Sequence, residues 1–330
     1  MSIRPWLSVT NPASGSGWVS YQLPYNYQAS FGTALLFANN LFVNVGSGCV
    51  VSADGITWTD VSSGFFIDGM SPYFYLLTQG ANTFLATPGN AGSRAATARV
   101  ARSADGFNWT TSATGLPSPG GNNTKWNCMT YGNGSGWNGF MASVAGQYSP
   151  MYIARSADGN SWTFSQSAPL PGNVEDITFG KNLFVAKMPR DIWTSLDGLT
   201  WTQVFSRAAS DNDFFYRIAF VGGKFIAIMR GYVTSGDQRT NICAVSDDGS
   251  NWVIRQLPVI APWSSVAYGN NQFIMTALQS NFVATSPDAI TWKLMSLPKA
   301  TSLEGLISFG NGKFVRSEEH TSELQSRVDI

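Results

Sequence analysis

The carboxylate side chains of this protein are the groups whose type and spacing could support catalysis. Two carboxylates facing each other across a glycosidic bond can hydrolyse it, one as the acid and the other as the nucleophile or base. Asp211 and Asp213 share one segment, and Asp176 and Asp191 stand in the repeat unit before it. A pair brought together across the fold would make a glycosidase, whereas solvated loop acids are the alternative interpretation.

Six other acids belong to a repeated heptapeptide, which indicates how the chain is organised. The pattern Ser-x-Asp-Gly-x-x-Trp, called the box here, occurs six times, with Ala289 in the glycine place of the last copy. Because β-rich runs flank the boxes, we predict hairpin turns in which glycine takes a positive φ, the carboxylate accepts backbone N–H groups and the tryptophan anchors the turn. The aspartates predicted to be structural in this way are Asp54, Asp105, Asp158, Asp197, Asp248 and Asp288.

A second pattern, apolar alternation interrupted by pairs such as Asn-Gly, Gly-Gly or Asn-Asn, marks seven hairpins, for example at 177–185 and 307–315. Hairpin, third strand, box and fourth strand make one four-stranded unit, and units of this size repeat along the chain. We therefore predict an all-β fold: a seven-bladed β-propeller of four-stranded antiparallel blades, in one domain that spans 1–315.

The two ends of the chain receive separate predictions. The last hairpin has no box after it, so the last blade is expected to be incomplete and closed by an N-terminal strand at about 18–24. From Arg316 onward the chain resembles the translation of a sequencing adapter. We therefore predict that 316–330 is a non-native, artefactual tail and that His320, the only histidine, is not a catalytic candidate.

Composition narrows the function classes. The formal net charge is zero and only 12% of residues are charged, which indicates neither a nucleic-acid partner nor membrane attraction, and no apolar run is long enough for membrane insertion. Cys49, Cys128 and Cys243 lack metal-ligand spacing and are expected to be buried thiols, so neither a metal nor a cofactor is predicted. The N-terminus lacks the apolar stretch of a signal peptide. A virion or an extracellular surface reached by another route is predicted, with a cytoplasmic place as the alternative.

The boxes resemble the Asp-box, or bacterial neuraminidase, repeat over about 36–315. Hairpin plus box is most similar to the propellers of phage structural and bacterial surface proteins. The sialidases of this group would imply an Arg-Ile-Pro motif, which Ile3-Arg4-Pro5 only scrambles, and a Glu beside a Tyr nucleophile, for which the chain before the tail offers only Glu175 and Glu304. We predict a non-enzymatic binding or structural protein of a phage tail or capsid, or of a surface. The alternatives are a glycoside hydrolase of the Asp-box group and a purely architectural part.

The resemblance also implies where a ligand binds. In propellers of this group the boxes lie opposite the binding face, which is formed by the loops between blades and by those between second and third strands. A glycan or a protein partner is expected there, with other virion proteins as further partners, because aromatic rings stack on sugars while polar side chains hydrogen-bond their hydroxyls. In the alternative interpretation these rings only hold loops onto the ring of blades. The candidate residues are Tyr25, Tyr27, Trp126, Asp211, Asp213, Tyr232, Arg239 and Trp263.

Overall fold

Short strands pair into four-stranded antiparallel sheets around a central channel, and the second strand of a blade is buried along most of its length. The computed structural model describes residues 5–11, 16–22, 34–46, 48–65, 74–88, 99–114, 125–146, 149–166, 172, 174–208, 211–231, 239–297 and 305–319. The first strand of each unit contacts the first strands of both neighbouring units, and the last of them, β27, contacts β3, so the inner strands form a closed ring. The all-β propeller fold is therefore confirmed.

Blades 1 to 6, numbered in chain order, each consist of four consecutive strands running from the channel outward. Blade 1 has β3 (Ala34–Ala38), β4 (Leu41–Val45), β5 (Cys49–Ser52) and β6 (Thr59–Asp60), followed by a 3-10 helix at Ser62–Phe65. Blade 2 has β7 (Phe74–Gly80), β8 (Thr83–Pro88), β9 (Arg99–Ser103) and β10 (Thr110–Ala113). Blade 3 has β11 (Lys125–Asn133), β12 (Asn138–Gly146), β13 (Ser149–Ser156) and β14 (Thr163–Gln166).

The second half of the ring continues the pattern. Blade 4 has β15 (Asp176–Gly180), β16 (Leu183–Lys187), β17 (Asp191–Ser195) and β18 (Thr202–Ser206). Blade 5 has β19 (Asp213–Val221), β20 (Lys224–Gly231), β21 (Thr240–Ser246) and β22 (Val253–Ala261). Blade 6 has β23 (Trp263–Gly269), β24 (Gln272–Ala277), β25 (Phe282–Ser286) and β26 (Lys293–Ser296).

A composite sheet joins the two ends of the chain between blade 6 and blade 1. Its strands are β1 (Pro5–Asn11), β2 (Ser16–Gln22), β27 (Ile307–Gly310) and β28 (Lys313–Glu319), in the order β2-β1-β28-β27. Strand β1 pairs with β28 from Pro5 opposite Glu319 to Thr10 opposite Phe314. The first and last described strands of the chain are thereby joined by backbone hydrogen bonds, which closes the ring of sheets.

The predicted blade count was wrong, and the predicted closure by one N-terminal strand missed a second one. In the described ranges the blades number six, not seven, and the remaining sheet is the composite one. That sheet is complete: β2 is the N-terminal strand expected at about 18–24, and β1, which was not predicted, lies between β2 and β28. Strand β1 was not predicted because no box separates it from β2, and because it begins at Pro5 and is followed by Pro12.

The C-terminal strand crosses the predicted end of the domain at 315. Strand β28 continues to Glu319, and the Arg316 guanidinium is buried, where it donates hydrogen bonds to the carbonyls of Ala277 (3.3 Å) and Ser280 (3.1 Å). The non-native origin of 316–330 stays a prediction.

The six boxes are the turns between third and fourth strands, as predicted, and they share one set of hydrogen bonds. In every copy one carboxylate oxygen accepts the N–H groups two and three residues later at 2.7–3.0 Å. The box Ser donates to the same oxygen, and the Trp N–H donates to the carbonyl of the Gly place. The Gly place has a positive φ throughout, including Ala289 at 60°.

Each box also packs against the preceding sheet. A Cβ added at Gly106 would lie 2.5 Å from Leu41 of blade 1, and one at Gly159 would lie 2.8 Å from Leu85 of blade 2. Cations of the preceding sheet donate to box carbonyls: Arg102 to Asp158 at 2.8 Å, and Lys313 to Asp54 at 3.0 Å. The boxes therefore join blade to blade, and they lie on one face of the ring, the box face.

Glycine and aromatic residues interlock the inner strands. Gly180 of β15 leaves space for the Phe220 ring of blade 5, and a Cβ there would lie 2.3–2.5 Å from three ring atoms. The same pairing occurs for Gly80 with Tyr131, Gly269 with Phe309 and Gly310 with Phe37. Each ring then packs on the Phe of its own second strand, with centroids 4.6–4.9 Å apart. Where Ala38 replaces the glycine, Gln79 replaces the aromatic residue of the next blade, because the added methyl takes the ring's space.

Candidate functional site

The face opposite the boxes, the loop face, carries the mouth of the channel. First strands begin there, and a cavity of about 420 Å³ lies among their first residues. The described residues that line it, called the socket here, are Ala34, Leu35, Tyr75, Leu76, Leu77, Asn127, Met129, Glu175, Asp176, Lys187, Tyr216, Arg217, Ser265 and Leu306. A cavity of this size can enclose a small ligand or a few residues of a peptide.

The socket has a polar half and an apolar half. Asp176, Arg217 and Ser265 occupy the same place in blades 4, 5 and 6, three residues before the inner-strand aromatic residue. The same place holds Leu306 in the composite sheet, Ala34 in blade 1 and Leu76 in blade 2. Equivalent backbone positions therefore present charged or polar groups on one side of the channel and hydrocarbon on the other.

The acids of the polar half are already engaged by the protein. Asp176 accepts the backbone N–H of Ile177 on one oxygen and that of Ile218 in blade 5 on the other, both at 2.9 Å. Burial raises the pKa of Asp176 above its ordinary value, and the nearby Arg217 offsets this only in part. Glu175 accepts a charge-assisted hydrogen bond of 2.6 Å from Lys187.

Lys187 is the most enclosed charge of the socket. Its side chain is only 2% exposed, and its ammonium donates both to Glu175 and to the carbonyl of Phe215 in blade 5, the latter at 2.7 Å. A buried ammonium needs such partners, since an uncompensated one would be strongly destabilising. Lys187 therefore joins blades 4 and 5 beneath the mouth.

Two arginines of blade 5 contact the ring of Tyr216. The Arg230 guanidinium carbon lies 3.3 Å from the ring centroid, and its Nε donates to the carbonyl of Trp263 at 3.3 Å. The Arg217 guanidinium carbon lies 5.7 Å from the same centroid. Both distances are within the range of cation–π attraction, so the ring helps to hold positive charge at the mouth.

The predicted ligand-binding residues do not come together as one site. Tyr25, Tyr27 and Tyr232 lie outside the described residues. Trp126 is 3% exposed and packs edge-on against Trp162, and Trp263 is fully buried against Phe282. Rings without exposed surface cannot stack on a ligand while this packing persists, so we do not include them in the socket.

Asp211 and Asp213 are brought together, but around a cation. Arg207 holds Asp213 by two hydrogen bonds of 2.9 and 2.8 Å and reaches Asp211 at 3.2 Å, which raises the pKa of Arg207 through the Asp213 hydrogen bonds. The carbonyl of Asp211 also accepts a hydrogen bond from the guanidinium of Arg190. This cluster fastens the loop that enters β19. Arg239 is exposed just before β21, and the ligand roles of Asp211, Asp213 and Arg239 stay predictions.

The socket residues that the sequence analysis did not select share one signal. Lys187 and Arg217 are charged residues within otherwise apolar strand patterns, where a charge is unfavourable unless it has a partner or a function. The sequence predicts Asp176 only as a loop acid or a member of a catalytic pair, and Glu175 only as a candidate glutamate of a sialidase site. When the repeats are aligned on the aromatic residue of the inner strand, Asp176 and Arg217 fall at the same position of neighbouring blades, which predicts that they lie close together.

Other site types find little support in the described part of the chain. Among those residues, no three His, Cys, Asp or Glu side chains cluster as metal ligands would, and no helix is long and apolar enough to cross a membrane. Cys49, Cys128 and Cys243 are buried free thiols, as predicted, and burial raises the pKa of Cys128 and of Cys243 to about 12.

Comparisons with known proteins identify the fold alone. No family model and no curated protein matches the chain. Streptogramin B lyase is similar in structure, with a TM-score of 0.62, 10% identity and coverage of 96% of this chain and 98% of that one. YCF48 bound to D1 peptide is similar with a TM-score of 0.56 and 15% identity, and the match covers 89% of this chain and 92% of that one. BBS1N in complex with ARL6DN is similar with a TM-score of 0.54 and 9% identity, and the match covers 89% of this chain and 94% of that one. Because 543 solved chains match, the likeness shows a β-propeller and carries no activity with it.

Proposed function

We propose that this chain is a binding module that holds a segment of a partner protein at the channel mouth. The observation that carries the proposal is the two-sided socket, in which Asp176, Arg217 and Ser265 face Leu306, Ala34 and Leu76 from equivalent strand positions. A peptide combines polar backbone with apolar side chains, and it can satisfy both halves at once.

The contacts of the socket acids favour binding over glycoside hydrolysis. A glycosidase needs one carboxyl group free to donate a proton and a second one free to attack or to activate water. Both oxygens of Asp176 accept backbone N–H groups, and Glu175 is paired with Lys187. Asp176 cannot take such a role without first losing these partners, so the two acids do not form a catalytic pair as they stand.

Two structural neighbours support a protein partner by analogy. The YCF48 propeller is bound to a D1 peptide, and the BBS1N propeller is in complex with ARL6DN. A glycan ligand is the alternative, because Tyr75 is 47% exposed and, with Tyr216, offers a ring at the mouth. A glycan and a place on a virion stay predictions.

Selection from a displayed random-peptide library tests the proposal. Purified chain should enrich a family of peptides, and Leu76→Glu, which places a charge in the apolar half, should weaken their binding at least tenfold. Leu199→Glu is the matched control, because Leu199 is a 37% exposed residue of a box turn and its substitution should leave binding unchanged.

Thermal unfolding of both variants first establishes that they fold. No enriched family, or equal loss with both substitutions, would overturn the proposed site. Turnover of a labelled polysaccharide by the purified chain would favour the hydrolase instead.

A further inference from the structure

We propose, resting on the binding role above, that Arg217 binds the C-terminal carboxylate of the partner while the apolar half of the socket takes the side chain of its last residue. The ligand class is therefore a protein C-terminus that ends in an apolar residue. The inference begins from the unused hydrogen-bonding capacity of Arg217, a partly buried arginine of β19.

Arg217 has donors to spare. Arg217 lines the cavity, yet among the described residues its guanidinium donates no hydrogen bond and forms no ion pair within 4.0 Å. Its contacts there are the Tyr216 ring, at 5.7 Å from the guanidinium carbon, and the electrostatic attraction to Asp176. A guanidinium carries five N–H donors in a planar fork, which matches the two oxygens of a carboxylate.

Other arginines on the same face show what a satisfied guanidinium looks like in this protein. Arg207 grips Asp213 with two parallel hydrogen bonds and also reaches Asp211. Arg190 donates to the carbonyls of Ala208 and Asp211. Arg217 makes no such bonds, although its backbone is held in β19 opposite Ile228, next to an irregularity in the pairing between Phe215 and Arg217.

The neighbouring acids do not neutralise Arg217 by direct contact. Asp176 uses both oxygens for backbone N–H groups of Ile177 and Ile218, and Glu175 is held by Lys187. A carboxylate from outside would thus meet a cation that is prepositioned at the mouth, partly shielded from water and stacked near a ring.

The rest of the socket restricts what accompanies that carboxylate. Leu76 and Leu306 stand across the channel from the polar half, in the place equivalent to Arg217. A volume of about 420 Å³ is at the small end for ligand sites, so it suits one or two residues rather than a long segment. The last residue of a chain carries a main-chain carboxylate and a side chain on the same carbon atom, its Cα.

Fluorescence anisotropy with paired peptides tests the inference. The probes are dye-labelled six-residue peptides ending in leucine, phenylalanine or glutamine, each made as the free acid and as the C-terminal amide. A fourth probe is an amide that carries an aspartate before a final leucine, and N-acetyl-leucine serves as a competitor. Comparison of these probes shows whether the bound carboxylate comes from a peptide C-terminus, from an acidic side chain within the peptide or from a small free acid.

The free acids ending in leucine or phenylalanine should bind at least tenfold more tightly than their amides. Arg217→Gln should remove that preference, whereas Arg217→Lys should keep part of it, since it retains the charge and loses the fork. Raising the salt concentration should weaken the acids more than the amides.

The outcomes separate this inference from the binding role itself. If acids and amides bind equally and Leu76→Glu weakens both, the C-terminal inference is wrong and the peptide-binding role stands. If the amide with the internal aspartate, or N-acetyl-leucine, binds as tightly as the free-acid peptides, the inference that the carboxylate comes from a protein C-terminus is wrong. If no peptide binds, or if Leu76→Glu has no effect, the binding role fails and this inference fails with it.

Discussion

At the box face six turns repeat one set of hydrogen bonds, whereas at the channel mouth neighbouring inner strands present different residues from the same backbone place. The box aspartates all accept the N–H groups two and three residues later. The mouth shows Asp176, Arg217 and Ser265 in succession. Repetition therefore marks the residues that build the ring, and departure from repetition marks the residues that give the mouth its own chemistry.

Removal of one box tryptophan is the most damaging test of this comparison. Trp252 is 8% exposed, packs near Phe225 and donates to the Gly249 carbonyl at 2.9 Å. Trp252→Ala should lower the free energy of unfolding by about 3–5 kcal/mol, because truncating a buried tryptophan leaves a large cavity. Urea unfolding measures it.

The neighbouring residue supplies the control for that substitution. Val253 is 48% exposed, so Val253→Ala should change the free energy of unfolding by no more than about 0.5 kcal/mol. A loss below about 1 kcal/mol for Trp252→Ala would show that the box does not anchor the blade.

An inner-strand glycine gives the next largest effect. Gly180→Ala should destabilise the protein by about 1–3 kcal/mol, because its Cβ would meet the Phe220 ring, which the two blades hold in place. Gly223→Ala is the matched control: nothing lies within 4 Å of its Cβ, and only the cost of a φ of 77° remains. Equal losses for the two would mean that the ring is not packed against Gly180.

The ring could be predicted from the sequence because its residues act locally and recur. Serine, aspartate and tryptophan of one box contact each other within a few residues, so a heptapeptide predicts its own turn. Strand β1 could not be predicted, since it pairs with β28 some three hundred positions away and no box follows it. The socket could not be predicted either, because Lys187 depends on the Phe215 carbonyl of the next blade.

The aspartates of the box face and the aspartate at the channel mouth should change the stability of the protein in opposite directions as the pH falls. Burial tends to raise the pKa of Asp54, but the N–H groups of Thr57 and Ile56 outweigh it and lower that pKa to about 2. The Asn108 backbone and side-chain hydrogen bonds likewise lower the pKa of Asp105. A lowered folded pKa contributes stability above the ordinary value, and that stability is lost as the pH falls from about 4 toward 2.

Asp176 at the mouth acts in the opposite direction. Burial raises its pKa, so its contribution becomes more favourable as the pH falls through the raised value toward the ordinary one. Because the boxes outnumber it, the urea midpoint should decline between pH 4 and 2. Asp105→Asn keeps an acceptor oxygen and should make that decline slightly shallower, whereas an unchanged curve would mean that Asp105 does not titrate with folding.

The smallest effect is expected at the one irregular box. Ala289 holds a positive φ of 60°, which costs a residue with a Cβ about 1–2 kcal/mol, but its methyl group is fully buried, and such burial stabilises by about 0.8 kcal/mol. Ala289→Gly removes the cost of the positive φ and loses the burial of the methyl group, so it should change the free energy of unfolding by about 1 kcal/mol or less.

Gly249→Ala, the reverse change one blade earlier, should destabilise more, because its Cβ would lie 2.9 Å from Leu183. Blade 5 has Lys224 in the place of that leucine, and the lysine turns to Asp247 at 2.5 Å, which leaves room for the Ala289 methyl. Equal effects of the two substitutions would show that the irregular box is not accommodated by its neighbour.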